Sequence, residues 1–119
     1  MSSLVVKRDF ELEYFIPERI FALRSVTPRY KYEDNKKTDE ITGYVYEGVN
    51  TSSFDTVKTL VEGGKKPVIS NDELQNLREA GSNVYVEFKN ARLRPYYSTV
   101  TNQIEDSIKA DGVSLVETN

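Results

Sequence analysis

A chain of 119 residues, 38% of them hydrophobic and 29% charged, has the length and composition of one soluble domain with one core and is too short for two. The absence of cysteine and histidine removes disulfides, thiolate metal sites, serine triads, zinc hydrolases and HNH-type nucleases in one stroke. The net charge of −3 argues at first against a polyanionic partner, but the local field rather than the total steers one.

No apolar run approaches the roughly 20 residues of a membrane-spanning helix. The opening MSSLVVKRDFELEYF turns charged too early for a secretory signal, so a cytoplasmic protein without a membrane partner is expected. With no cysteine to pair, the Asn50-Thr51-Ser52 sequon carries little weight. Carboxylate-only magnesium chemistry stays open in principle. Its candidate pairs, Glu33-Asp34 and Asp39-Glu40, sit in the polar run EDNKKTDE and read as solvated turn charge. There is no P-loop, GxGxxG or EF-hand spacing, so no metal, cofactor or enzymatic activity is expected.

Along the chain, VVKRDFELEYF alternates through Phe10, Leu12 and Tyr14 and predicts a strand-like arm over residues 1–17, ending at Pro17. RIFALRSV places Phe21 and Leu23 on one face and Ala22 and Arg24 on the other. Pro28 is expected to break or bulge this strand, because it cannot donate to a ladder. Tyr30, Lys31 and Tyr32 then lead into a polar loop.

ITGYVYEGV, residues 41–49, alternates strictly. Val45 takes one face, and Tyr44 and Tyr46 take the other with Thr42 and Gly48. Two large rings on the face without an aliphatic residue ask for a partner. After a turn at 50–53, FDTVKTLVEGG is expected to send Val57 and Val61 to the core and Phe54, Thr56 and Lys58 outward. Lys65 and Lys66, after Gly63-Gly64, read as a solvated turn.

The period then changes. Ser70 and Glu73 match a capping box, Ile69 and Leu74 are spaced as a hydrophobic staple, and Gly81 stands where a helix stops, which predicts a helix from about Asn71 to Ala80. NVYVEFKNARLRPYY reads as one long strand with Val84, Val86 and Phe88 inward. Tyr96 and Tyr97 are expected to divide, one buried and one exposed. TNQIEDSIKADG reads as a helical turn, and GVSLVE as a closing strand. Phe10, Phe15, Phe21 and Phe88 are read as core.

Three strands, a helix and two strands, with an arm in front, is the order of the OB-fold. That is a mainly β, five-stranded Greek-key barrel with a short helix between strands three and four, here one domain over 1–119. In such barrels strands two and three and the loops joining strands one–two and four–five take oligonucleotides. Charge segregates accordingly. From Arg24 to Lys37 five cations face two acids; Lys89, Arg92 and Arg94 stand without an acid up to Tyr97; Glu105, Asp106, Asp111 and Glu117 outweigh Lys109 at the far end.

Rings beside cations make a stacking platform for single-stranded nucleic acid, each base contributing on the order of 1–3 kcal/mol. The expected binding set is Tyr30, Tyr32, Tyr44, Tyr46 and Phe54 with Arg24, Lys31, Lys58, Lys89, Arg92 and Arg94. The alternative is a non-enzymatic protein-interaction module, in which the same face packs on a peptide or a second subunit.

The blocks ALRSVTPRYKYEDNKKTDEITGYVYEGV, SNDELQNLREAGSNVYVEFKNARLRPYY and SIKADGVSLVE resemble small single-stranded DNA-binding proteins of lactococcal phages, from about Ile20 onward. A more distant likeness is to OB-like proteins of Gram-positive conjugative elements. The resemblance implies an OB-fold, a homodimer, sequence-independent binding of single-stranded DNA, and service in phage replication and recombination beside a phage or host recombinase, in the host cytoplasm. Unlike cellular relatives, this sequence has no tryptophan and shows no acidic tail ending in Pro-Phe. Partner recruitment would then use another surface, around Asp72, Glu73 and Glu79 or around Glu105 and Asp106.

Overall fold

The longest elements come from the most regular alternation. In the computed structural model, which describes residues 4–63 and 66–116, strands β2 (Ile20–Glu33) and β3 (Lys36–Asn50) form a hairpin of 14 and 15 residues. The expected polar loop is instead paired strand, turned over by Asp34 and Asn35 alone. Both have positive φ, 50° and 63°, the two left-handed residues that a tight hairpin turn needs. Before the hairpin come β1 (Phe10–Glu11) and the single helical turn α1 (Leu12–Phe15). After it follow β4 (Thr56–Glu62), α2 (Asn71–Glu79), β5 (Tyr85–Lys89), β6 (Arg92–Ser98), β7 (Gln103–Ala110) and β8 (Gly112–Val116).

The protein is mainly β, and among the described residues eight strands form one sheet in the order β1-β6-β7-β4-β3-β2-β5-β8. This corrects the expected count of five. Three differences account for it. The arm supplies β1, which pairs with β6 through Phe10 and Leu93, and α1 takes the place of the expected arm strand. The long strand expected at NVYVEFKNARLRPYY divides at Asn90, whose φ of 52° turns the chain between β5 and β6. The expected helical turn is β7, antiparallel to β6 and parallel to β4.

Only Asp111 separates β7 from β8. One stretch of chain therefore pairs first with β6 and β4 and then with β5. Asn90 Nδ2 donates to Asp111 Oδ2 at 3.0 Å and Asp111 N to Lys89 O at 2.8 Å, so both turns are held by one clasp.

Pro28 does not end β2. It pairs with Tyr44, and beyond Ala22 the opposite edge of β2 has no strand partner among the described residues, so its missing N–H breaks no ladder there. The register slips just after it, between Arg29 and Tyr30, and once before, where Arg24 is the extra residue between Leu23 and Ser25.

The helix follows the sequence closely. Ser70 Oγ accepts from Glu73 N at 3.1 Å, and Gly81, at φ 84°, follows the last turn. Leu74, fully buried, and Ile69 join Val86, Phe88, Phe21 and Leu23 in the core. Leu12 and Ile16 are buried in the same cluster, so the arm is part of the core. Phe15, expected in the core, is about half exposed and meets Phe10 edge-on at 5.5 Å. Met1–Ser3, Gly64-Lys65 and 117–119, and with them Lys65 and Glu117 of the expectations above, lie outside the described residues.

Candidate functional site

The alternation of β3 is as expected, but its faces are reversed. Tyr44 and Tyr46 point into the core, at 9% and 2% exposure, and Val45 points out. The Tyr46 ring packs edge-on against Phe88 at 6.3 Å, and its hydroxyl accepts from Val68 N at 3.2 Å. A tyrosine is mostly apolar ring, so one hydrogen bond makes its burial favourable. Burial also raises the Tyr46 pKa, against the backbone bond from Val68 and with a smaller push from Tyr44. These two rings form no solvent-facing platform.

The outward face of the same strands carries a different constellation. Across β3, β4 and β7 it presents Val45, then Lys58, Leu60 and Glu62, then Ser107 and Lys109; β6 adds Arg92, Arg94 and Tyr96. Two adjoining troughs of about 600 and 540 Å³ run along this face and share Glu62, Arg94, Ser107 and Lys109. Arg29 and Thr42, from the base of the long hairpin, line the larger one. Gly43 permits this approach: a Cβ there would stand 2.5 Å from Val61 O and 2.9 Å from Glu62 Cα, so any other residue would push the end of β4 away.

The trough has an apolar floor with charged walls. Leu60 is only 9% exposed although it points away from the core, and it lies beside Val45, its partner in register. Tyr96 offers a ring at 45% exposure. Arg29, Lys58, Arg94 and Lys109 line the trough with this floor, together with Glu62 and Asp106, and Arg92 lines the adjoining one. Lys109 is held by Glu62 at 2.6 Å, and Arg92 by Asp9 and Glu11 at 3.2 and 3.5 Å. Among the described residues Arg29, Lys58 and Arg94 have no carboxylate within ion-pair distance. Glu62 is held below the ordinary carboxylate value, first by its hydrogen bond from Lys109, then by the charges of Lys109 and Arg29.

Of the residues expected to bind, Lys58, Arg92 and Arg94 therefore meet in one site. Arg24 lies elsewhere, its carbonyl accepting from Arg78 of α2. Lys89 faces a separate hollow with Glu13, Arg19 and Glu87. Tyr30, Lys31 and Tyr32 ride on the hairpin: Lys37 sits 4.3 Å over the Tyr30 ring, Lys31 pairs with Glu33 and Glu40, and Tyr32 is exposed.

Phe54 is in the β3–β4 turn rather than on a strand, 77% exposed and at φ 63°. That turn is built on Asn50, fully buried, whose Oδ1 accepts from the backbone N of Ser52 and Ser53 and whose Nδ2 donates to Glu18 O at 2.9 Å. The sequon asparagine is thus a structural turn residue. Tyr96 and Tyr97 are both exposed, on opposite faces of β6.

Arg29, Lys109 and Tyr96 join the site without having been expected there. Arg29 belongs to the basic segment already counted, and the cross-strand pairing of β2 and β3 brings it in. Lys109 was hidden because Ile104 and Ile108 are four residues apart, a spacing that fits a helix as well as one face of a strand.

Among the described residues no cluster of three or more His, Cys, Asp or Glu is placed to hold a metal ion, and no helix is long and apolar enough to cross a membrane. Comparison of the chain with protein-family models, curated proteins and solved structures finds no match.

Proposed function

We propose that the protein binds single-stranded nucleic acid, DNA in the first place, in the outer trough, without enzymatic activity. The observation that carries this reading is the set of unpaired cations Arg29, Lys58 and Arg94 around an apolar floor beside the exposed Tyr96 ring. Cations take phosphates, and the floor and ring take base faces, which a duplex keeps stacked and hidden. None of these groups reads a base edge in a fixed pattern, so binding is tolerant of sequence.

The topology supports an OB-like reading of the frame. Chain continuity through Asp111 links the β4 side of the sheet to the β5 side, as the last strand of an OB barrel does, and α2 lies between the third and fourth long strands. On this reading the trough lies on the face that such barrels use, while β1 and the outer part of the β6–β7 hairpin are additions. The resemblance to phage single-stranded DNA-binding proteins points the same way and suggests replication and recombination as the setting.

A protein-interaction module is the second reading, favoured by the exposed Tyr97, Val100 and Ile104 on the β6–β7 hairpin. Salt separates the two. Fluorescence anisotropy of a labelled oligo-dT, with duplex of equal length as control, is expected to show single-strand binding that weakens about 20-fold from 50 to 200 mM salt, for about three phosphates neutralised. Absence of single-strand binding at low salt sinks the reading.

A further inference from the structure

The larger trough has two carboxylates among its lining residues where a polyanion is to bind, Asp106 and Glu62, and among the described residues Glu62 is the one of the two in an ion pair. Glu62 is the last residue of β4, opposite Gly43 in register, and it lines both troughs. Its carboxylate lies 2.6 Å from Lys109 Nζ and faces the charge of Arg29. Both members of the pair are more than half exposed, so the pair contributes little to stability and can open. A carboxylate on a lysine, within the field of an arginine, has the charge and the acceptor oxygens of a phosphate oxygen pair.

We propose that Glu62 sets the affinity of the trough by standing in for a phosphate: it occupies Lys109 until an incoming strand displaces it. The proposal rests on the strand-binding reading above. Because the Lys109 contact exchanges one anion for another, it adds little net attraction, and the ionised Glu62 left behind repels the new phosphate. Affinity is thereby held below what the cation set allows, which favours release and movement along a strand.

The test compares wild type, Glu62→Gln and Glu87→Gln in anisotropy titrations of labelled oligo-dT over a series of salt concentrations. Glu87, on β5 outside the trough, controls for the change in net charge. Glu62→Gln frees Lys109 for a phosphate, so affinity should rise about 5- to 10-fold near 50 mM salt and the log–log salt slope should steepen by about 0.7, while Glu87→Gln leaves the slope unchanged. Wild-type binding with an unchanged Glu62→Gln slope and affinity overturns the inference alone. An equal gain in Glu87→Gln assigns the effect to net charge and overturns it as well. No binding by any of the three overturns the strand-binding reading and this inference with it.

Discussion

Tyr46 and Thr59 are partners in register on the core face of β3 and β4, and they make opposite predictions. Tyr46→Phe leaves Val68 N without its acceptor and should cost about 1–2 kcal/mol in chemical denaturation. Thr59 is fully buried, and among the described residues its Oγ1 is the one buried side-chain polar atom with no hydrogen-bond partner, so Thr59→Val should be neutral or stabilising. Burial raises the Tyr46 pKa above its ordinary 10.0. Its contribution to stability is therefore complete below that value and is lost as pH rises through the folded pKa. In a phenolate absorbance titration Tyr46→Phe should remove a step that lies above the ordinary tyrosine value; loss of a step at or below that value instead would contradict its burial. The sequence placed Tyr44 and Tyr46 on a shared face, but alternation alone does not say which face is inside. Ring area outweighed the hydroxyl, and one hydrogen bond settled Tyr46 in the core.

At the scale of elements, legibility followed the locality of the signal. Helix α2 could be read because its cap, staple and stop lie within a dozen residues, and the structure realises them at Ser70, at Ile69 with Leu74, and at Gly81. Ser70→Ala should cost about 1 kcal/mol and lower the thermal midpoint by about 4 °C. An unchanged midpoint would mean that packing of Leu74, not the cap, holds the start of the helix. The β2–β3 turn was legible in principle, since Asp and Asn tolerate left-handed backbone, but the surrounding charges made it read as loop. The division at Asn90 was not legible. Its left-handed turn is fixed by Asp111, which is distant in sequence.

For the whole molecule, the net charge of −3 conceals a site with more cations than acids on its unpaired wall. Sequence reasoning expected Lys58, Arg92 and Arg94 to bind from charge and alternation, and could not separate them from Arg24 and Lys89, which share the same composition. Strand pairing does separate them, because it decides which of two outward cations faces the trough. The most direct measurement is therefore oligo-dT affinity at low salt for two double variants with the same change in charge, Lys58→Ala with Arg94→Ala and Arg24→Ala with Lys89→Ala. The trough variant should lose at least about tenfold and the other no more than about twofold, from the number of phosphate contacts removed. Equal losses, or the reverse order, would contradict the assignment of the trough as the binding site.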